Sequence, residues 1–500
     1  MGISKSTEAD KENKLKYFRN QIVGLDKKVP LLDGSLRRYI NLDNAASTPC
    51  LKPVLEKVNE FLDWYSSIHR GSGFKSLLSS KIYDQAHQMV ADFVKADSKT
   101  NAVIFTKNSS EALNKLANRF PFKDDSLVLS SLMEHHSNDL PWRKRAKVIY
   151  VEVDQYGTLD LDDLEKKLKK YQGKIQLLAL TGASNVTGYV NSLHQIASLA
   201  HRYGAKIVID AAQLVAHRPL DMKSDDDPEH IDYLIFSAHK TYAPFGTGVL
   251  IGPKSTFQQG DPEHVGGGTV EIVTLDEVFW TGLPDKEEVG SPNVVGAVAL
   301  AEAIKILKEI GMDAITTHEK RLTEYAIKKL RLTKDIIIYG NQDYVENSAL
   351  RLAQGGERSR TTEGGDENAY SCLDRLGVIP FNLNGFHHAL TSTILSYEAG
   401  IGVRHGCFCA HPYVTRLLGV TEEESQKFRD ELKRRNKANL PGAVRVSFGF
   451  YNTEEEIDQL IEALEKISRR EYRGKYKLDA KLGEYLSENF SFEYQKYFDF

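Results

Sequence analysis

Between residues 102 and 251 short apolar, β-branched runs alternate with segments of helical spacing, and few folds accommodate that rhythm. The runs are 102–106 (AVIFT), 127–130 (LVLS), 147–153 (KVIYVEV), 175–180 (IQLLAL), 206–210 (KIVID), 233–237 (YLIFS) and 247–251 (TGVLI). Between them, 110–119, 160–171 and 192–203 repeat apolar residues every three or four positions. Strands alternating with helices predict a mostly parallel, seven-stranded sheet covered on both faces. After Gly290-Ser291-Pro292-Asn293 the pattern becomes helical over about 294–331, and a second α/β region runs to about 468. The expected organisation is an arm at 1–40 that joins a smaller domain, a large domain at 41–300, a smaller α/β domain at 301–468, and an extension at 469–500. Within the smaller domain, 354–368 is Gly-rich and charged and reads as a loop. The extension holds seven aromatics in residues 485–500. A solvated tail is rarely so aromatic, so docking onto the protein or a partner is expected.

A net charge of −4 argues against a bulk basic surface of the kind nucleic-acid binders use. No run approaches 18 uninterrupted apolar residues, so no membrane-spanning helix is expected. The four cysteines, Cys50, Cys372, Cys407 and Cys409, are too few for a disulfide framework. They suit a reducing compartment, and the charged N-terminus lacks the apolar core of a secretory signal, so a cytoplasmic location is expected. Gly2 and Ser6 only distantly match a myristoylation pattern.

Two strand ends carry chemistry. The run ending in Asp210 and the run that leads into Ser237-Ala238-His239-Lys240 both finish abruptly in polar residues. Ligands in open α/β sheets sit beyond the carboxyl ends of strands, so an Asp and a Lys can converge there. A lysine that forms a Schiff base, with a carboxylate opposite a pyridine nitrogen, is what pyridoxal phosphate requires. Taken singly, Lys240 also reads as a surface lysine and Asp210 as a turn former. The segment Glu134-His135-His136 offers an imidazole to stack on a flat ring, or a plain loop pair; no further ligands at metal spacing accompany it, and no metal is expected. Asn108-Ser109-Ser110 opens a helix, a place for phosphate or an ordinary N-cap. Asn185 offers an amide, and Arg445 a planar fork suited to a carboxylate.

Together these segments resemble the class V aminotransferase family of fold-type I pyridoxal-phosphate enzymes, most closely its cysteine desulfurase and selenocysteine lyase branch. The motifs are NLDNAASTP (41–49), HRGSG (69–73), SSEALNKLAN (109–118), EHHSNDLPW (134–142), SNVTG (184–188), VIDAAQ (208–213), FSAHK (236–240), GGGT (266–269), GSPN (290–293), RHGCFCAHP (404–412) and VRVSFGFYNTEEEID (444–458). The resemblance implies a Schiff base on Lys240, Asp210 on the ring nitrogen, Gln213 on the ring's phenolic oxygen and His135 stacked on the ring. It further implies Ser109, Ser110, Ser237 and His239 around the phosphate, with Ser291 reaching over from a second subunit of a homodimer. Asn185 and Arg445 would bind the substrate carboxylate, with Asn44, Ala45 and Arg404 beside it. Ala238 stands where the family commonly has glycine.

The implied reaction converts L-cysteine to L-alanine and moves the sulfur to an enzyme cysteine, from which an acceptor protein could collect it. Here the sequence departs from its branch: Cys407-Phe408 precede Cys409, where a His-His pair is usual. Three readings of the pair stay open, with Cys409 the nucleophile, with Cys407 sharing a relay, or with both incidental. Arg404, His405 and His411 are the nearby groups able to activate a thiol. Cys50 and Cys372 read as buried thiols. A selenocysteine lyase, aminotransferase, epimerase or β-lyase remains the alternative activity, and a sulfur carrier or scaffold that docks through its tail a further one.

Overall fold

The computed structural model describes residues 7–340, 374–488 and 490–500. The 354–368 loop, Cys372, and Gly2 with Ser6 lie outside the described residues. Seven strands form the central sheet: β1 (Asn101–Thr106), β2 (Leu127–Ser131), β3 (Lys147–Val151), β4 (Ile175–Thr181), β5 (Lys206–Asp210), β6 (Tyr233–Ser237) and β7 (Gly248–Pro253). Their spatial order is β1-β7-β6-β5-β4-β2-β3. Only β7 runs antiparallel to its neighbours β1 and β6; the other pairs are parallel.

Period-two alternation splits each strand between two cores, which is why these runs are apolar throughout. Val103, Leu129, Leu178, Ile209 and Phe236 enter one core, and Ile104, Val128, Leu177, Val208 and Ile235 the other. Helix α1 (Ser109–Arg119) follows β1, and α2 (Leu193–Arg202) leads into β5. The long helical stretch past 294 proves to be two helices, α3 (Val294–Ile310) and α4 (Met312–Leu332). Gly311 separates them at φ +97°, a backbone angle that favours glycine and ends the first helix.

A second sheet, entirely antiparallel, is built from β8 (Ile336–Ile338), β9 (Val378–Leu383), β10 (Arg404–Gly406) and β11 (Ala443–Ser447) in the order β8-β9-β11-β10. It shares a separate core with α4, α5 (His388–Ala399) and α7 (Glu454–Ser468); α6 (Glu422–Lys433) has no buried residue and lies outside that core. The arm joins this part of the molecule, since Ile40–Asn41 pairs in parallel with Ile401–Gly402.

The C-terminal extension is half docked. Strands β12 (Tyr476–Asp479) and β13 (Glu484–Ser487) form a hairpin against α5. The Tyr476 hydroxyl donates to Glu398, and Phe490 stacks on Tyr397 with centroids 4.7 Å apart. Phe492, Tyr494, Tyr497, Phe498 and Phe500 stay exposed.

Candidate active site

Strands β1, β2, β4, β5 and β6 all release their chains at one edge of the sheet, and their ends enclose a cavity of about 600 Å³ roofed by the β10 loop. Asp210, the last residue of β5, and Lys240, in the single helical turn after β6, both line it. That turn is braced from below: the His239 carbonyl accepts from Thr48 N–H at 3.0 Å, and Tyr242 N–H donates to Thr48 Oγ1 at 2.7 Å.

Burial governs the charges here. It pushes the Asp210 carboxyl above its usual range despite a 3.0 Å bond from Ala212 N–H and the nearby lysine. It lowers the Lys240 ammonium to about 8, against the opposing pull of Asp210. His135, partly buried and near Lys240, falls to about 4. Its Nδ1 accepts from Ser137 N–H at 3.1 Å, so the neutral ring carries its proton on Nε2. Glu134 beneath it is held protonated by burial, at about 8, while accepting from Ser131 Oγ and Asn138 Nδ2, each at 2.6 Å.

At the other end of the cavity the N-terminus of α1 meets β6. Ser109 N–H donates to Ser237 Oγ at 2.8 Å, and the Ser110 and Ser137 hydroxyls are 2.6 Å apart. Asn108 caps the helix by accepting from Glu111 N–H. First-turn N–H groups without helical partners, hydroxyls and the neutral His239, lowered to about 4 by burial, make a cradle for a phosphate. Gly248 makes the cradle compact: a Cβ there would sit 2.3 Å from the Asn108 carbonyl carbon.

Asp43 is the residue whose role sequence reasoning missed. It accepts from Arg445 Nη2 and from Arg404 Nε, each at 2.9 Å, and so holds both guanidinium groups. Arg445 is buried, donates through Nη1 to the Asn185 carbonyl at 2.9 Å, and keeps a buried Nε with no hydrogen-bond partner among the described residues. The signal was available in the motif NLDNAASTP: a buried arginine needs a carboxylate, and this motif offers one aspartate.

The thiol loop is fastened to the same residues. Asn185 Nδ2 donates to the Phe408 carbonyl at 2.7 Å, the Arg445 guanidinium lies 4.9 Å from the Phe408 ring centre, and His136 N–H donates to the Cys409 carbonyl at 2.7 Å. Phe408 and Cys409 are both left-handed, at φ +52° and +55°. Cys409 is exposed and lines the cavity, whereas Cys407 does not. The Cys407 thiol donates to the Pro441 carbonyl at 2.9 Å, and burial raises it to about 12. His411 lies against His136, with rings parallel and 5.0 Å apart.

The structure therefore gathers Lys240, Asp210, Gln213, His135, Ser109, Ser110, Ser237, His239, Asn185, Arg445, Ala45, Arg404 and Cys409 around one cavity. Two expected residues stand apart. The Asn44 side chain does not line it: its amide donates to the Ser447 carbonyl and Asn452 Oδ1 and accepts from Tyr451, a buried bracing network. Ser291 lines an adjacent cavity, which shares Lys107 and Gly246 with the first. Gln213 lines the main cavity while donating through Nε2 to the Ala45 carbonyl at 2.7 Å. Cys50 is half-buried, with its thiol near the Leu51 carbonyl.

The donor set fits pyridoxal phosphate with an amino acid. A buried carboxylate awaits a ring N–H, a lysine of lowered basicity stands near it, and an unpaired guanidinium Nε is left for a carboxylate. The Aminotransferase class-V family matches residues 40–354 and 365–460. A probable cysteine desulfurase from Halalkalibacterium halodurans is 31% identical over 461 residues, covering 90% of this chain and 98% of that protein. A cysteine desulfurase from Escherichia coli (strain SE11) is 30% identical, covering 86% of this chain and 93% of its own. A solved cysteine desulfurase structure from Thermococcus onnurineus NA1 superposes with a TM-score of 0.71 at 30% identity, covering 86% of this chain and 95% of that one.

Proposed function

The chain belongs to the class-V aminotransferase family, and from that premise we propose that it is a pyridoxal-phosphate-dependent cysteine desulfurase, which turns L-cysteine into L-alanine and leaves the sulfur as a persulfide on Cys409. The observation that carries the assignment of the thiol is the contrast within Cys-Phe-Cys. Cys409 is exposed and lines the cavity, whereas Cys407 is bonded to a carbonyl and raised to about 12.

When bound, pyridoxal phosphate supplies an electron-accepting ring that loosens bonds near the amino acid's α-carbon. Asp210 would pair with the ring nitrogen, and His135 would lie on the ring as a neutral imidazole. Arg445, steadied by Asp43 and Asn185, orients the substrate carboxylate, so that the substrate sulfur faces the thiol loop. With its ammonium lowered to about 8, Lys240 can exchange a proton with the substrate near neutral pH. The Cys409 thiolate attacks the substrate sulfur. The new S–S bond forms as the Cβ–Sγ bond breaks, its electron pair stays with carbon, and a proton completes the methyl group of alanine. An external thiol or an acceptor protein then takes the sulfur. A homodimer is part of the proposal. It is supported by the exposed apolar side chains Phe74, Leu77, Ile272, Val273 and Leu275, and by Ser291 beside the neighbouring cavity. Free Cys50, Cys407 and Cys409 support a reducing setting such as the cytoplasm. Among the described residues no helix is long and apolar enough to cross a membrane.

The test is turnover of L-cysteine with a reductant. We expect alanine and sulfide from the wild type and from Cys407→Ser, and no sulfide from Cys409→Ser, which should still bind the cofactor. Full turnover by Cys409→Ser would reject that thiol; keto acid without sulfur release would reject the reaction.

A further inference from the structure

We propose a second site, for a divalent transition cation of the zinc type, formed by His201, His230 and Asp232 at the pole of the large domain opposite the active site. His201 lies in the last turn of α2, Lys206 opens β5, and Asp232 immediately precedes β6. These are the amino ends of the two strands whose carboxyl ends carry Asp210 and lead to Lys240, and five residues of strand put the two sites roughly 17 Å apart. None of the three residues lines the active-site cavity.

The hydrogen bonds of the two imidazoles carry the inference. His201 Nδ1 lies 2.8 Å from the Pro228 carbonyl, and His230 Nδ1 2.7 Å from the Asp227 carbonyl. A carbonyl can only accept, so each Nδ1 carries a proton, and each Nε2 is the atom left to bind either a proton or a metal. Both Nε2 atoms face the same buried carboxylate: His201 Nε2 is 2.8 Å from Asp232 Oδ2 and His230 Nε2 is 3.4 Å from Oδ1. Without a metal, a proton on Nε2 bridges each ring to the carboxylate; a cation would take the place of those protons. The rings are also stacked, with centroids 4.3 Å apart and planes 23° apart, an unfavourable setting for two imidazolium ions. One divalent cation would replace both protons, and backbone carbonyls behind ligating imidazoles are the usual outer support of such a site.

The ligand atoms lie within 4.8 Å of one another. Bonds of about 2.0–2.1 Å set tetrahedral ligands roughly 3.3 Å apart, so the three side chains would close or draw back slightly to share one cation, each imidazole now facing a different oxygen of Asp232. Two imidazoles and a carboxylate suit zinc-type cations, with water as the fourth ligand. The imidazoles are 18% and 17% exposed, enough for entry, while Asp232 is 1% exposed. Lys206 Nζ, 2.5 Å from Asp232 Oδ1, is the competitor; its side chain is half exposed and free to swing into solvent. The cation would tie the end of α2 to the start of β6.

The test uses cofactor-loaded protein stripped with a chelator, then dialysed against micromolar Zn²⁺. Wild type should retain about one equivalent more zinc than His201→Ala or His230→Ala, and zinc should raise its melting temperature. Lys206→Ala should bind severalfold more tightly, since it removes a like charge. Equal zinc in wild type and both histidine variants, or weaker binding by Lys206→Ala, would overturn the site. Should the histidine variants not fold, Co²⁺ added to wild type decides. Visible bands of a tetrahedral nitrogen–oxygen site support it; thiolate charge transfer alone, or no such bands, rejects it.

Discussion

Asp43 shows how one carboxylate can set the behaviour of a site it does not enter. Two guanidinium groups share it, and one of them, Arg445, is buried. Asp43→Asn keeps the shape and removes the charge. Arg445 should then lose its fixed aim, raising KM for L-cysteine by roughly tenfold or more with less change in kcat, measured by steady-state kinetics. Lys240 makes a second prediction. Only the free amine can attack the cofactor's aldehyde, and burial lowers its conjugate acid to about 8. The rate of cofactor uptake by cofactor-free protein should therefore climb about tenfold per pH unit below about 8 and level off above it, followed by absorbance. A rate that keeps climbing to pH 10 would mean the lysine titrates like a solvated one.

The elements of the large domain were readable because each strand is apolar along its whole length, a pattern that only a doubly covered sheet requires. Two strands match the expected bounds, and the other five differ by one or two residues. Two features escaped. The helix past 294 read as continuous because Gly311 is a single glycine in an apolar-periodic run, and its left-handed angle appears only in three dimensions. The pairing of Asp43 with Arg445 joins residues 402 positions apart, beyond any local signal. Strand β7 carries the third prediction. Gly248→Ala would press a methyl onto Asn108 backbone, which has no rotamer to yield. It should destabilise the protein by about 1–3 kcal/mol and weaken cofactor retention, seen by thermal unfolding with and without added cofactor.

For the whole molecule, the C-terminal hairpin shows how far composition can be trusted. Its aromatic richness pointed to docking, and Tyr476 and Phe490 do dock, but the final aromatics remain in solvent. Deleting 470–500 uncovers α5 and frees His405 from Glu484, which lie 2.8 Å apart. The truncated protein should melt several degrees lower while keeping the cofactor, since none of those residues lines the active-site cavity. The loop bearing Cys409 is pinned through Asn185, Arg445 and His136. In the proposed reaction, a sulfur atom parked on such a short leash would not be carried outward by its host. Whatever collects it must bring its own thiol down to the mouth of the cavity, so the hand-over belongs to the visitor's flexibility and not to the enzyme's.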